Sequence, residues 1–282
     1  MGTESTALKG TRKGISMGVS LSNIIKRLVY YSLGGRLGRF VDSIVRSLGY
    51  EIQRPKNAFD SQRMLLSDIP VKTIFDIGAN VGDTIAEYRR RFSLAAIYGF
   101  EPLPEEFEGL RNRFKEDSLV KLIPLAVSNQ VHKTQFFVNH DRNSSSLFLG
   151  LEESRSLYDR PELTKNVDNI EVSTTTIDDF CKQESIDEIG ILKMDIHGSE
   201  LPVLKGATQM LNSGSILLIY SEILFVPVYK EQPAYFEICS FLFNYGYRLF
   251  DWYNLYHSAN RRELVQGDAI FISPRIMDLK YS

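Results

Sequence analysis

The chain has 282 residues and carries 33 basic and 35 acidic side chains, which gives a formal net charge of −2. Its hydrophobic content of 43% and charged content of 24% are typical of a globular protein, and they exclude a polar unfolded chain, a collagen-like fibre and a coiled-coil rod. The near-neutral charge argues against nucleic acid as a default partner. Two cysteines without metal-ligand spacing exclude a disulfide scaffold or a zinc ribbon and fit a cytoplasmic location.

Basic residues are concentrated at the N-terminus. Residues 1–56 hold ten basic and three acidic side chains, which leaves 23 basic and 32 acidic side chains in the rest of the chain. Apolar residues recur at helical spacing over residues 21–48 and predict two short amphipathic helices. We expect residues 1–55 to form an extension of a main domain over residues 56–282, either as a packed helical cap or as a peripheral surface for anionic lipid or an acidic substrate. No stretch reaches the roughly 18 apolar residues of a membrane span.

From residue 71 onward, short β-rich runs alternate with segments of helical length. The predicted strands are 72–77, 96–100, 119–125, 133–138, 170–175, 189–194, 215–220, 247–252, 253–257 and 269–273. The predicted helices are 83–92, 104–115, a segment from 199, and 234–245. This alternation predicts an α/β fold with a doubly wound, mostly parallel sheet that closes with antiparallel strands. Ligands of such sheets bind at the carboxyl ends of the strands, so we expect the site where the first strand ends.

The loop after the first strand reads DIGANVGD over residues 76–83. Gly78 and Gly82 allow a sharp turn and a close approach of a ligand to the backbone, although tight turns also use glycine for steric reasons alone. The loop lacks both the GxGxxG pattern of dinucleotide folds and the GK[ST] of a P-loop. Asp76 and Asp83 flank the glycines, and carboxylates repel a pyrophosphate but attract an ammonium or a sulfonium. The loop therefore favours a cationic nucleoside that carries an amino acid.

Glu101 ends the second predicted strand, in the sequence YGFEP. In folds of this type a carboxylate at that position accepts hydrogen bonds from both hydroxyls of a ribose. The alternative is an ordinary exposed glutamate before a helix, with Pro102 as the helix breaker. Together with the glycine loop, the pattern favours the ribose role.

These motifs resemble the FkbM-type S-adenosylmethionine-dependent methyltransferases. The resemblance extends over roughly residues 55–273 and rests on the segments 76–83, 100–102, 126–129, 144–146, 174–180, 192–207 and 267–272. It implies the class I methyltransferase sheet, with strand order 3-2-1-4-5-7-6 and an antiparallel last strand. It also implies S-adenosylmethionine as the cofactor.

The resemblance assigns a part of the cofactor to each motif. The residues that it places around the methionine part are Asp76, Gly78, Asn80 and Gly82. Glu101 is implied to hold the ribose, and the residues bordering the adenine are Ala126, Val127 and Ser128. The reactive methyl group is implied to face the end of the fourth strand at Asp195. The chain departs from the family at His197, where an acidic residue, most often Glu, is usual.

Methyl transfer from a sulfonium requires an aligned nucleophile and a group that accepts its proton. His197, Asp195 and Glu222 are the candidates, because the fourth and fifth strands deliver them to the same crevice. His197 has the ordinary pKa of a general base, and a role that only shapes the loop is the alternative. Asp195 and Glu222 could instead hold Mg²⁺ through oxygen ligands. Lys193, inside the strand, is expected to pair with a neighbouring carboxylate.

Two further features remain open at this level. The polar loop 139–165 contains the serine run 144–146, and the loop is either a lid over the substrate or a surface excursion. The aromatic residues Phe225, Tyr229, Trp252 and Tyr253 form either a wall for the acceptor or part of the core.

The sequence predicts an S-adenosylmethionine-dependent methyltransferase. The resemblance favours an O-methyltransferase that acts on a hydroxyl of a sugar, glycan or natural product. The alternatives are methylation of nitrogen or of a protein, and a scaffold protein that binds the cofactor without turnover. A nucleotide-linked oxidoreductase is disfavoured, because the GxGxxG pattern is absent.

Overall fold

The computed structural model describes residues 57–281, except residues 160, 163 and 259–261. The expected N-terminal extension and the expected lipid-contacting surface over residues 21–48 lie outside these residues. Within the described part of the chain, no helix combines the length and the hydropathy needed to cross a membrane.

The described strands form one large sheet and one small sheet. The strands are β1 (Thr73–Ile77), β2 (Ala96–Phe100), β3 (Val120–Ile123), β4 (Ala126–Val127), β5 (Lys133–Asn139), β6 (Asn166–Thr175), β7 (Ile189–Met194), β8 (Ile216–Leu224), β9 (Arg248–His257) and β10 (Leu264–Ile272). The large sheet has the order β3-β2-β1-β7-β8-β10-β9, and β10 runs antiparallel to both of its neighbours. In chain order this is 3-2-1-4-5-7-6, so the predicted fold class is confirmed.

Helices cover both faces of the large sheet. They are α1 (Ala58–Leu65), α2 (Asp83–Arg91), α3 (Pro104–Phe114), α4 (Ile177–Glu184), α5 (Glu200–Lys205), α6 (Thr208–Asn212), α7 (Tyr235–Asn244) and α8 (Pro274–Tyr281). Apolar side chains of α1, α2, α3 and α8 pack on one face, and those of α4 to α7 pack on the other. Because both faces are covered, the central strands are apolar almost throughout: every residue of β7 and β8 is buried.

The small sheet has the order β4-β6-β5 and follows the third strand of the large sheet. β5 and β6 pair antiparallel, and the chain between them contains the predicted polar loop. That loop holds two short 3₁₀-helices, Arg142–Ser144 and Glu153–Leu157. The serine run lies in this loop, and Ser146 contacts the segment that follows β7 in the large sheet.

The structure differs from the predicted elements in a few places. The segments 247–252 and 253–257, predicted as two strands, form the single strand β9, which begins at Arg248. Asn254 has a φ of 49°, so one residue in the left-handed region interrupts the strand without ending it. The helices α1, α4 and α8 were not predicted from the sequence. For α4 a signal was present, because Thr176 caps the helix by accepting a hydrogen bond from the Asp179 N–H.

Candidate active site

A cavity that opens to solvent lies at the carboxyl ends of β1, β2 and β7. Six of the predicted cofactor residues line it: Gly78, Asn80, Glu101, Ala126, Val127 and Asp195. Asp76, Gly82 and Ser128 are not among the residues that line it. The predicted residues that line the cavity thus include those that follow β1, β2 and β7, the fourth strand of the large sheet in chain order.

The glycine loop is held in place by backbone contacts. Gly78 and Ala79 donate hydrogen bonds to the carbonyl of Phe100, the last residue of β2, at 3.1 and 3.0 Å. Gly78 has a φ of +78°, and a Cβ on it would overlap the carbonyl oxygen of Asp195. Gly82 has a φ of +85°, and a Cβ there would overlap the ring of Phe114. At both positions the atoms that exclude a side chain belong to the protein itself, so the glycines are required by the fold of the loop.

The two carboxylates that flank the glycines are already compensated by protein cations. Asp76 is fully buried, and its Oδ1 lies 2.8 Å from Nζ of Lys193. The expected pairing of Lys193 with a carboxylate is therefore confirmed. Burial raises the pKa of Asp76, and Lys193 opposes that shift. Asp83 is exposed and pairs with Arg113 at 2.7 Å. Neither aspartate presents an uncompensated negative charge to the cavity, which removes the electrostatic argument that the sequence suggested for them.

Glu101 is buried at the wall of the cavity, with 5% of its surface exposed. Its Oε2 accepts a hydrogen bond from the Asn80 N–H, and its Oε1 accepts one from the Leu103 N–H, both at 2.9 Å. Each oxygen retains a lone pair for a further donor. Burial raises the pKa of Glu101 to about 7, against the lowering effect of the two N–H donors. The exposed glutamate that the sequence left as an alternative is thus excluded.

Beyond Glu101 the wall of the cavity is mainly apolar. Ala126 and Val127 are buried in β4, and Leu103, Phe136 and Leu147 complete this part of the lining. Ser128 lies one residue further along the chain, and its N–H donates to the carbonyl of Thr175 at 2.9 Å. This part of the lining is apolar and lies next to the Glu101 carboxylate.

The structure brings together the three predicted catalytic residues. Nδ1 of His197 lies 2.9 Å from Oε2 of Glu222 and 3.8 Å from Oδ1 of Asp195. Glu222 is buried, whereas the Asp195 side chain is 47% exposed and lines the cavity. His197 reaches this position with a φ of +53°, in the left-handed region that side chains other than glycine seldom adopt.

Both ring nitrogens of His197 face acceptors, because Nε2 contacts the carbonyl oxygen of Asn143. Burial lowers the pKa of the imidazole. Glu222, Asp195 and the Asn143 carbonyl raise that pKa by a larger amount, so the net pKa is about 10. The imidazole is therefore a cation at neutral pH in this arrangement. The ordinary histidine pKa that the sequence suggested for a general base does not apply here.

The serine run belongs to a segment that the sequence left as either lid or surface. Arg142, Asn143 and Ser145 line the cavity. Arg142 forms a two-pronged ion pair with Glu106 of α3, with Nη2 to Oε2 at 2.8 Å. Asn143 accepts a hydrogen bond from the side-chain amide of Asn80 in the glycine loop. These contacts place residues 142–146, named the serine segment below, beside the cavity, with Asn143 exposed to solvent and Ser145 and Ser146 buried.

Two more contacts fix the serine segment beside His197. The Ser146 hydroxyl donates to the His197 carbonyl at 2.8 Å. The Tyr229 hydroxyl donates to the Ser144 carbonyl at 2.9 Å, and its ring lies nearly parallel to the His197 imidazole. Of the four predicted aromatic wall residues, Tyr229 alone has this contact with His197. Phe225, Trp252 and Tyr253 pack against the hydrophobic core.

Two residues that the sequence did not indicate support Glu222. Gln266 of β10 donates from Nε2 to Glu222 Oε1 at 3.2 Å, and Tyr158 donates to Gln266 Oε1 at 3.0 Å. Both contacts join segments that are far apart in the chain, and neither residue belongs to a local motif. No sequence signal indicated either residue.

The chain is similar in sequence to several known methyltransferases. Curated relatives include the 2-O-methyltransferase NoeI of Sinorhizobium fredii, which is 22% identical over 222 residues, 77% of this chain and 85% of the relative. The hexuronic acid methyltransferase AglP of Haloferax volcanii is 22% identical over 188 residues, 66% of this chain and 71% of the relative. The 31-O-demethyl-FK506 methyltransferase FkbM of Streptomyces tacrolimicus is 26% identical over 155 residues, 49% of this chain and 60% of the relative.

Among solved structures, the methyltransferase FkbM of Methylobacillus flagellatus aligns with a TM-score of 0.45 and 13% identity, over 89% of this chain and 77% of that chain. The sequence model of the Methyltransferase FkbM domain matches residues 76–249, from the glycine loop to the start of β9. This match covers more than half of the chain and includes the cavity, the glycine loop and the three clustered residues. The chain therefore belongs to the FkbM family of methyltransferases.

Proposed function

We propose that the chain is an S-adenosylmethionine-dependent O-methyltransferase that acts on a hydroxyl group of a sugar, glycan or polyketide-like natural product. The observation that carries the proposal is that the buried carboxylate Glu101 and the carboxylate Asp195 line the same cavity. His197 and Glu222 lie directly behind Asp195. The relatives that act on a 2-O position, on hexuronic acid and on a 31-O position support oxygen as the accepting atom.

The residues of the cavity fit this cofactor. Glu101 has a free lone pair on each oxygen, which suits the two hydroxyls of a ribose. The apolar wall around Leu103, Phe136 and Leu147 suits an adenine ring. Asp195 is the half-exposed carboxylate at the other end of the cavity, where it would attract the sulfonium and the ammonium. The chemistry that the cofactor supplies is an electrophilic methyl group on sulfur.

The chain contributes alignment and the handling of a proton. Glu101 and the apolar wall would orient the nucleoside, so that the methyl group faces the carboxyl end of β7. The acceptor hydroxyl would then approach Asp195 and His197 from the open side of the cavity. Glu222 fixes the imidazole through Nδ1, and the serine segment covers the side of Nε2. The imidazole is cationic in this closed arrangement. It can therefore accept a proton from the acceptor hydroxyl only after Nδ1 or Nε2 has lost its own proton.

A calorimetric titration with S-adenosylhomocysteine and, separately, with NAD tests the cofactor. We expect binding of S-adenosylhomocysteine alone, and its absence in folded protein would refute the proposal. A screen of neutral sugars, uronic acids, glycans and macrolide alcohols with methyl-labelled cofactor tests the acceptor. Label transfer to nitrogen-containing or protein acceptors only would replace the O-methyltransferase assignment with the alternative.

A further inference from the structure

Three side chains of different types converge beside the cavity. The donor atoms of Asp195, His197 and Glu222 all lie within 4.8 Å of one another. Two of the separations, from His197 Nδ1, are 2.9 Å to Glu222 and 3.8 Å to Asp195. Donors that share one first-row divalent cation at about 2.0–2.2 Å lie about 3.0–3.4 Å apart. Because the Asp195 side chain is 47% exposed, it can rotate to close the longer separation.

The contact at the other ring nitrogen determines which atom of His197 is available. The carbonyl oxygen of Asn143 can only accept a hydrogen bond, so it fixes a proton on Nε2. In the neutral ring the lone pair then lies on Nδ1 and points at Glu222 and Asp195. A lone pair that faces two carboxylates requires a positive charge between them, either a proton or a metal cation. A backbone carbonyl on the remote nitrogen is the usual support of a metal-ligating histidine.

Glu222, like His197, is held by a hydrogen bond on the atom that faces away from the cluster. Gln266 donates to Oε1, and Tyr158 in turn donates to Gln266, so Oε2 is directed at the imidazole. Among the described residues, the ion-pair partner of Glu222 is His197, and Lys193 lies 2.8 Å from Asp76 but 4.0 Å from Asp195. A proton on the imidazole leaves the two carboxylates with one uncompensated negative charge. A divalent cation with a neutral imidazole balances them completely.

We infer that Asp195, His197 and Glu222 bind a divalent transition-metal cation, of the Mn²⁺, Fe²⁺ or Zn²⁺ class, in preference to Mg²⁺. The imidazole ligand sets this preference, because nitrogen donors suit these cations whereas Mg²⁺ is bound by oxygen. The site thus differs from the oxygen-only pair of Asp195 and Glu222 that the sequence suggested for Mg²⁺. Three protein ligands leave coordination positions open on the cavity side, where Asp195 lines the wall.

The role of the cation, though not its binding, rests on the proposed function. An acceptor hydroxyl at an open position would release its proton to solvent more readily, because the cation stabilises the alkoxide. The oxygen electron pair then forms the bond to the methyl carbon, and the carbon–sulfur bond breaks with its electron pair left on sulfur. The products are a methyl ether, a neutral thioether and one proton, so no further reactant is required.

Metal binding is measured on the full, tag-free chain after treatment with a chelator. Titration with MnCl₂, followed by the electron paramagnetic resonance signal of free Mn²⁺, is expected to give one site per chain. Calorimetry with ZnCl₂ and MgCl₂ should give binding at least tenfold weaker for Mg²⁺ than for Mn²⁺ or Zn²⁺. Asp195→Asn, His197→Ala and Glu222→Gln should each weaken Mn²⁺ binding at least tenfold.

Two further variants make the outcome decisive. Asp268→Asn changes the carboxylate directly opposite Glu222 in the strand register and should leave Mn²⁺ binding unchanged. His197→Glu gives an all-oxygen site and should shift the preference toward Mg²⁺, a change that a purely structural histidine would not produce. Undiminished Mn²⁺ binding in all three ligand variants, or no binding in the parent chain at millimolar metal, would overturn the inference. Intact binding of S-adenosylhomocysteine in that case would leave the proposed function standing.

Discussion

Lys193 of β7 and Asp76 of β1 form an ion pair inside the large sheet, with 2.8 Å between Nζ and Oδ1 and little exposure of either side chain. The two strands are parallel neighbours, and Asp76 pairs directly with Lys193 in their register. The same ammonium donates to the carbonyl of Gly78 at 3.0 Å. One lysine thus joins the fourth strand of the sheet to the glycine loop, which makes the shape of the loop depend on β7.

Replacing Lys193 by Met is expected to lower the free energy of unfolding by about 3–5 kcal/mol, because Asp76 is left as a buried charge without a partner. The double variant with Asp76→Asn should recover a large part of that loss. Urea denaturation followed by circular dichroism measures both. Lys121→Met, which removes a lysine near the surface of β3, serves as the control. If Lys193→Met and Lys121→Met had equal stability, the ion pair would not hold the loop.

Alanine at Gly78 should destabilise the protein by about 2 kcal/mol or more, because it adds backbone strain at positive φ and overlaps the Asp195 carbonyl. Since that overlap displaces the chain that carries Asp195, methyl transfer should fall as well. Gly109 offers a matched control in α3, where an added Cβ meets nothing within 4 Å. Gly109→Ala should stabilise the helix by about 0.5–1 kcal/mol and leave activity unchanged. Thermal unfolding and initial rates distinguish the two variants.

The central strands were predictable because a strand that is buried on both faces is a short, nearly continuous run of apolar residues. The predicted bounds of 96–100 and 189–194 coincide with β2 and β7, and both runs are bounded by polar residues and turns. The outer strands were less predictable. β9 shows no regular alternation of buried and exposed residues, and Asn254 in the left-handed region interrupts it. Amphipathic helices of only eight residues, such as α1 and α4, give too few turns for a clear period.

The candidate site was predictable where it follows one short stretch of chain and not where it depends on distant pairs. The glycine loop, Glu101 and Asp195 follow directly from strand ends. The contact of Asn143 with His197 joins residues 54 positions apart, and that of Tyr158 with Gln266 spans 108. Burial and such contacts also set the charge of His197, so its ordinary pKa was a poor guide.

Glu101→Gln should weaken binding of S-adenosylhomocysteine about tenfold. Both oxygens of Glu101 accept backbone N–H groups, and an amide satisfies only one of them while its NH₂ opposes the other. The charge that strengthens hydrogen bonds from ribose hydroxyls is lost as well. Glu108→Gln changes an exposed glutamate of α3 and is the control. Equal affinities of the two variants, measured by calorimetry, would remove Glu101 from the ribose role.

The affinity for S-adenosylhomocysteine should fall as the pH is lowered through about 7. Burial raises the pKa of Glu101 to about 7, so below that pH the carboxyl is neutral and a weaker acceptor. Stability of the free protein should move the other way: the folded pKa exceeds the unfolded value, so protonation favours the folded state as pH falls from about 7 toward about 4.5. Titrations at about pH 6 and about pH 8 check the affinity. In Glu101→Gln this pH dependence should disappear, and its persistence would assign it to another group.

Tyr229→Phe and Tyr247→Phe form a matched pair, since each removes one buried hydroxyl that donates to a backbone carbonyl. Both should lose about 1 kcal/mol of stability. Of the two tyrosines, only Tyr229 contacts the serine segment, so its variant alone should raise the acceptor KM and lower kcat several-fold. Its affinity for S-adenosylhomocysteine should stay unchanged, because Glu101 and the apolar wall are untouched. Steady-state kinetics decide the matter: equal rates for the two variants would show that the serine segment does not need this hydrogen bond to position the acceptor.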